Sequence, residues 1–212
     1  HWRFGPRATT LRNLDWYGQG WHGPEAIPWG GQVQDGGAVL GFSFYDLWAR
    51  LKVLGPDDCW QRLMEILAWE KDVRATGGYR KYYEGGKRGT TLQGGGTAGG
   101  LGIDYEFFES SLVPSIVVYG LLGLEADSSG VLRIRPNLPE ACPRIGIANL
   151  LYHGVRLDVN ADREHVEITV KDKPLNPLRI AFEGDWRETV NGRTGSSFLL
   201  AMPRCYRFTR SE

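Results

Sequence analysis

The sequence predicts a chain of two parts, an α-helical part over residues 1–124 and an antiparallel β-sandwich over residues 125–212. Before residue 125, apolar residues recur at spacings of three and four, which is typical of helices that bury one face. From residue 131 onward, apolar and polar residues alternate, as they do in half-buried strands. Turn residues also recur there about every 8 to 12 residues, which favours a β-sandwich.

Three helices are predicted in the first part. The first covers residues 38–54, and Gly55-Pro56 ends it. Asp57 or Asp58 can cap a second helix, so that the two form an αα-hairpin. Cys59 is expected to be a small core residue of this second helix. Its apolar stripe is predicted to consist of Trp60, Leu63, Met64, Leu67 and Ala68. A third helix is predicted over residues 105–122, where Pro114 must either kink it or mark a restart.

Strands are predicted wherever apolar residues alternate with polar or basic ones. The segments are residues 131–136, 144–154, 155–161, 165–171, 178–184 and 205–210. Turn signals lie at residues 127–130, 153–154, 160–162, 173–177, 183–185 and 191–195. This spacing predicts a sandwich of about seven or eight strands.

Composition excludes several classes of partner. Lysine plus arginine equal aspartate plus glutamate at 25 each, so no net charge attracts the chain to nucleic acid or to an anionic membrane. No run of about 18 apolar residues predicts a membrane span. The three cysteines are widely spaced without a CxxC pair, which predicts neither a disulfide framework nor a zinc site. No metal and no cofactor is expected.

The loop of residues 15–39 has the composition of a sugar pocket. Sugars have flat C–H faces and rings of hydroxyl groups, which suit aromatic side chains beside amides and carboxylates. Candidate substrate-binding residues in this loop are Trp21, His22, Trp29, Gln34 and Asp35. The structural alternative is that the aromatic residues belong to a core and that Asp35 caps the next helix.

A second loop, residues 77–110, is rich in glycine: eleven of residues 77–102 are glycine. Long loops in compact domains are often functional, and glycine lets the backbone approach a ligand closely. A nucleotide site is rejected because no strand precedes the glycines and no lysine-serine pair follows them. Candidate substrate-binding residues are Tyr83 and Asp104, and candidate catalytic residues are Glu84 and Glu106. The alternative for Glu106 is that it stabilises a helix amino-terminus.

Residues 27–39 (IPWGGQVQDGGAV) and 94–140, above all the segment 119–139 (YGLLGLEADSSGVLRIRPNLP), resemble the end of the six-hairpin, (α/α)6-barrel glycosidases. These include α-L-rhamnosidase-like, glucoamylase-like, trehalase-like and debranching-glucosidase-like enzymes and the inverting disaccharide phosphorylases. The resemblance implies that the helices are the last ones of such a barrel and that the β-domain braces it. It also implies a carbohydrate substrate and an N-terminal remainder of the same enzyme as partner, without which the fragment is expected to be inactive.

The chain departs from this pattern at two places. Relatives have asparagine where this chain has Gln34-Asp35, and their general base is a glutamate close to the position of Arg80, four residues before Glu84. The resemblance implies inverting hydrolysis, in which one carboxyl protonates the leaving oxygen and a second carboxylate, Glu84 or Glu106, activates water. The general acid would come from an earlier barrel loop.

Two alternatives belong to other classes. In an inverting disaccharide phosphorylase, phosphate replaces water, and Arg80, Lys81, Lys87 and Arg88 are candidates to bind it unless they are ordinary solvated loop charges. In a non-catalytic carbohydrate-binding or structural fragment, the β-domain would carry the function. The strand segments show no row of aromatic residues on one face, which favours a structural role for that domain.

Overall fold

The computed structural model describes residues 43–75, 77 and 112–211. These residues fall into two compact units. The first contains residues 43–54, 58–75, 77 and 112–115, and the second contains residues 55–57 and 116–211. The assignment of residues 1–124 to a barrel portion and of residues 125–212 to a separate domain stays a prediction.

Two of the predicted helices are present, α1 (Ser43–Val53) and α2 (Pro56–Ala75). Helix α1 buries Leu47 and Leu51 of its predicted apolar stripe, whereas Leu54, also predicted for that stripe, follows the helix and is 61% exposed. Cys59 on α2 is fully buried, which confirms its expected core position, and burial raises its pKa to about 11. The buried stripe of α2 is Cys59, Leu63 and Ile66, whereas Leu67 is 43% exposed and Ala68 is exposed. The predicted stripe was therefore wrong in part, because both sets fit the helical spacing and only packing selects one.

Helix α2 starts at Pro56, which places Asp57 and Asp58 in its first turn and not at the predicted cap. The carboxylate of Asp58 accepts a hydrogen bond from the Arg50 guanidinium at 2.6 Å, and Arg50 also pairs with Asp46 one turn earlier on α1 at 3.2 Å. The start of α2 is thus set by proline, and the Asp58 carboxylate binds Arg50 near the end of the preceding helix.

The third helical segment consists of α3 (Leu112–Ser115) and a directly following π-helix, Ile116–Leu121. Pro114 lies in the first turn of α3, where its missing N–H breaks no helical hydrogen bond. The amide of Leu122 donates to the Val117 carbonyl at 2.8 Å, which is the i to i−5 spacing of a π-helix. The predicted residues 105–111 of this segment lie outside the described residues.

Eight strands form one continuous sheet in the order β1-β2-β6-β8-β5-β4-β3, with β7 paired to β6. The strands are β1 (Leu124–Ala126), β2 (Val131–Ile134), β3 (Ile145–Tyr152), β4 (Val155–Ala161), β5 (His165–Val170), β6 (Leu178–Glu188), β7 (Thr194–Leu200) and β8 (Cys205–Arg210). The predicted number of strands is confirmed. The expected all-antiparallel pairing is wrong for one pair, since β2 and β6 run parallel. No hairpin joins these two strands, so nothing local imposes opposite directions.

Strand β6 explains how one sheet encloses a core. Its first half pairs with β2 and its second half with β8. Strand β7 pairs with both halves, and the register of that pairing shifts between Ala181 and Trp186. Gly184 lies at this shift with a φ of +75°, so the residues predicted as a chain-reversing turn are instead a bend within one strand. Bends of this kind carry a strand from one layer of a β-domain to the next.

Four aromatic rings from β6, β7 and β8 form the centre of the core. Phe182 stacks on Trp186 with ring centroids 4.7 Å apart and contacts Phe208 at 5.1 Å, and Phe208 lies 4.8 Å from Phe198. Burial of each ring contributes about 2 kcal/mol, with a further contribution from the tilted ring pairs. The core therefore holds together the strand ends on both sides of the β6 bend.

Candidate functional site

The residues predicted to carry catalysis and substrate binding all lie outside the described residues. They are Glu84 and Glu106 as candidate catalytic groups, and Trp21, His22, Trp29, Gln34, Asp35, Tyr83 and Asp104 as candidate substrate-binding groups. The basic residues Arg80, Lys81, Lys87 and Arg88 also lie there. Their roles stay predictions.

The segment with the most specific resemblance, residues 119–139, is described in full. Its asparagine, Asn137, ties three backbone positions together. The Asn137 side-chain amide donates to the carbonyls of Gly120 and Arg135, both at 3.1 Å, and its backbone amide donates to the Leu121 carbonyl at 2.8 Å. Carbonyls at a helix end lack helical partners, and Asn137 donates hydrogen bonds to two of them at the end of the π-helix. The same residue fixes the segment that follows β2.

Gly123 connects the π-helix to β1 at a point of close backbone approach. Its φ is +69°, and a Cβ atom at this position would overlap the carbonyl group of Arg135. The same two residues share a hydrogen bond from the Arg135 amide to the Gly123 carbonyl at 3.0 Å. Glycine is required here for both conformation and space.

Asp127 organises the turn between β1 and β2. Its Oδ1 atom accepts from the Ser129 hydroxyl at 2.6 Å and from the amides of Ser129 and Val131 at 2.9 and 3.1 Å. Its Oδ2 atom accepts from the Arg133 guanidinium at 3.0 Å. The Ser129 hydroxyl first, and then the backbone amides and Arg133, stabilise the carboxylate and lower the pKa of Asp127 from 3.8 to about 2.

We expect Asp127→Asn to destabilise the chain at neutral pH and to have less effect as the pH approaches 2. The folded pKa lies below the unfolded one, so the charged form stabilises the fold above pH 3.8, and this contribution is lost as the pH falls toward 2. Urea unfolding of both proteins at several pH values, followed by circular dichroism, measures the difference in unfolding free energy. Asp185→Asn is the control, because within the described part of the chain its side chain has no hydrogen-bond partner. A gap between wild type and Asp127→Asn that is independent of pH would contradict the prediction.

The aromatic residues of the strands belong to the core. Phe182, Trp186, Phe198, Tyr206 and Phe208 are all buried. A surface that binds sugars by stacking needs exposed rings, and the described strands have none in a row. The β-domain therefore lacks the usual platform of a carbohydrate-binding module over its described residues.

A cavity of about 380 Å³ lies within the second unit, where the end of β2, the turn between β4 and β5, the bend of β6 and the end of β8 converge. Its lining includes Arg135, Arg163 and Arg210, and also the acidic residues Asp162 and Glu183. Trp186 also lines the cavity, and its Nε1 donates to the Glu183 carbonyl at 3.2 Å. Guanidinium groups in a concave site suit carboxylate or phosphate oxygens, because their donors match such groups in pairs.

Sequence reasoning missed this cavity. Asp162 was noted only as a turn residue, and the three arginines lie in segments that are remote from one another along the chain. The only local signal is that each arginine follows or ends a strand pattern, and such positions are ordinary for solvated charges. Only the curled sheet brings these positions to one place.

Two further properties hold for the described residues. Among residues 43–75, 77 and 112–211, no group of three or more histidine, cysteine or acidic side chains is arranged to hold a metal ion. None of the helices in those ranges is long and apolar enough to cross a membrane.

Comparison with known proteins relates the chain to one family of enzymes. Residues 125–185, from β1 into β6, match the family described as glycosyl hydrolase family 65, C-terminal domain. A solved structure named as a putative kojibiose phosphorylase from human microbiome is similar at 16% identity and a TM-score of 0.38, with 74% of this chain and 19% of that chain covered. This chain thus spans about a fifth of that protein. No curated protein matches the sequence.

The family match bears on the resemblance seen in the sequence. It begins at Glu125, directly after Gly123 and Leu124, and takes in the Asp127 turn and Asn137. The predicted relationship to the C-terminal part of (α/α)6-barrel glycoside hydrolases is thereby confirmed.

Proposed function

We propose that this chain, whose residues 125–185 match the C-terminal domain of glycosyl hydrolase family 65, is the carboxy-terminal part of an enzyme that breaks glycosidic bonds. The family match is the observation that carries the proposal. It covers the strand domain from β1 into β6, and the glycosidase-like segment 119–139 that leads into this domain extends the relationship toward the helices.

The β-domain has a structural role in this proposal. Its aromatic side chains are in the core, and the segment 119–139 uses Gly123, Asp127 and Asn137 to fix the path from the π-helix into the sheet. These contacts fix the path of the chain, and the described strands expose no row of aromatic rings. A brace for a catalytic domain fits these features better than a sugar-binding module does.

The chemistry in this proposal belongs to the helical part. Helices α1 and α2 are assigned to the end of an (α/α)6 barrel, and the loops of residues 15–39 and 77–110 form one side of the sugar site. Glu84 or Glu106 activates a water molecule, and a carboxylic acid on the N-terminal remainder of the enzyme protonates the leaving oxygen. Trp21 and Trp29 stack on the sugar, while Gln34 and Asp35 bind its hydroxyl groups.

The second candidate is phosphorolysis. The observation that favours it is the group of four basic residues in the glycine-rich loop, Arg80, Lys81, Lys87 and Arg88, since phosphate is bound by such side chains through charge-assisted hydrogen bonds. A phosphorylase needs no general base, so the carboxylates would then serve substrate binding only. The two candidates differ in the co-substrate and in the product.

Disaccharide cleavage by the complete enzyme, with and without added phosphate, tests the proposal. We expect free monosaccharides in phosphate-free buffer, with inversion at the anomeric carbon visible by proton NMR at early times. The 212-residue chain alone is the control and is expected to be inactive. Strict dependence on phosphate with a sugar 1-phosphate as product would replace hydrolysis by phosphorolysis, and no cleavage of any glycoside would contradict an enzymatic role.

A further inference from the structure

Two of the three arginines that line the β-domain cavity have no carboxylate partner among the described residues, whereas several arginines elsewhere in the sheet do. Arg156, Arg204 and Arg207 each have a carboxylate oxygen within 2.8 Å. In contrast, Arg163 and Arg210 have no carboxylate within 4.0 Å anywhere in the described ranges 43–75, 77 and 112–211. Two cations without a counterion thus line the same concave space.

The backbone holds these two arginines next to each other. The amide of Arg210 donates to the carbonyl of Glu164, the residue after Arg163, at 3.0 Å. Arg210 also lies opposite Trp186 in the pairing of β6 with β8. The backbone positions of Arg163 and Arg210 are therefore fixed relative to each other, which lowers the ordering cost of binding a shared ligand.

Asp162, one of the two acids that flank Arg163 in the sequence, is already engaged. Asp162 Oδ1 accepts from the amides of Glu164 and His165 at 2.9 and 2.7 Å, and it lies 3.1 Å from His165 Nδ1. Although burial opposes its charged form, these hydrogen bonds leave the pKa of Asp162 below its ordinary value. Asp162 fixes the turn that carries Arg163 and does not form an ion pair with it.

The balance of charges favours an anionic ligand. The lining contains Arg135, Arg163 and Arg210 against Asp162 and Glu183, which leaves an excess of one positive charge. Arg135 has a partner, but Glu125 lies 3.7 Å away and both side chains are about half exposed or more, so this pair is weak. A guanidinium pair binds an oxyanion through several charge-assisted hydrogen bonds.

We propose that this cavity binds a small molecule through a phosphate or carboxylate group, held by Arg163 and Arg210. Glu183 also lines the cavity, and a carboxylate accepts hydrogen bonds from hydroxyl groups, so a sugar that carries the oxyanion fits better than the bare ion. The volume of about 380 Å³ lies in the range of small-ligand sites. The choice of a sugar as carrier rests on the proposed function, whereas the binding of the oxyanion does not.

Isothermal titration calorimetry on the full chain tests this site, with inorganic phosphate, glucose 6-phosphate, glucuronate and neutral glucose as probes. We expect the three anions to bind and glucose not to bind, with glucose 6-phosphate tighter than phosphate. The double variant R163Q/R210Q should weaken anion binding about tenfold or more, since each lost charge-assisted bond is substantial. The matched control R179Q/R187Q removes the same charge from exposed arginines outside the cavity lining and should change the affinity by less than about twofold.

Several outcomes would overturn the proposal. If the wild type binds none of the anions, the cavity is not an oxyanion site. If the two double variants weaken binding equally, the effect is general attraction and not a site. If phosphate binds as tightly as glucose 6-phosphate, the sugar part of the proposal is wrong. The calorimetry involves no catalysis, so a negative binding result does not bear on the proposed glycosidase activity. A negative cleavage assay likewise does not bear on anion binding.

Discussion

Gly123→Ala is expected to destabilise the chain by about 3–5 kcal/mol, a large share of the stability of a small domain. The new Cβ atom would overlap the Arg135 carbonyl group, which is backbone and cannot rotate away. To make room, the end of the π-helix and the segment that follows β2 must move apart. The hydrogen bond between Arg135 and Gly123 is then lost. The positive φ of Gly123 adds a conformational cost of about 1 kcal/mol.

Gly184→Ala is the matched control for this variant. Gly184 has a similar φ of +75°, but its Cβ position is open, with no atom within 4 Å. Gly184→Ala should lower the free energy of unfolding by about 1 kcal/mol, because only the positive φ opposes a side chain there. Urea unfolding monitored by circular dichroism compares the two variants with the wild type. Equal losses in both variants would show that steric overlap at Gly123 contributes little.

Most strands and turns of the β-domain can be predicted from the sequence, because the signal for each one lies within a few consecutive residues. The pair His153 and Gly154 both adopt positive φ, as a two-residue hairpin turn requires, and the strands on either side were predicted. Strand β7 was missed because Ser196 and Ser197 interrupt its alternation and Phe198 to Leu200 form a continuous apolar run. Its pairing with β6 makes it a strand, and pairing with a distant segment has no local signal.

Elements defined by contacts between distant segments were beyond sequence reasoning. The parallel pairing of β2 with β6 joins residues 131–134 to residues 179–182, and no turn specifies it. The β-domain cavity depends on the same long-range arrangement, since Arg135, Arg163 and Arg210 come together only after the sheet curls. The sugar-site residues were proposed from composition and resemblance, and they lie outside the described residues. The segment 119–139 was identified by its resemblance to (α/α)6-barrel glycosidases, and in the structure its Gly123, Asp127 and Asn137 fix the path of the backbone.

Replacement of the catalytic base by glutamine is expected to have the largest effect on activity. Glutamine keeps the shape of glutamate but cannot accept a proton from water, so kcat should fall by about 10²–10⁴-fold while KM changes little. We expect this loss in one of the two variants Glu84→Gln and Glu106→Gln of the complete enzyme. The affected variant should also lose the acidic limb of its pH–rate profile, because that limb reports ionisation of the base.

Glu109→Gln is the control for both variants, since Glu109 lies three residues after Glu106 and has the same charge. It should retain turnover close to that of the wild type. A structural role for Glu106 at a helix amino-terminus predicts a different result, namely lower thermal stability with kcat and the pH profile preserved. Near-normal turnover in both Glu84→Gln and Glu106→Gln would show that neither carboxylate is the base. In a hydrolase the base would then lie on another loop, whereas strict phosphate dependence in the same assay would indicate phosphorolysis, which requires none.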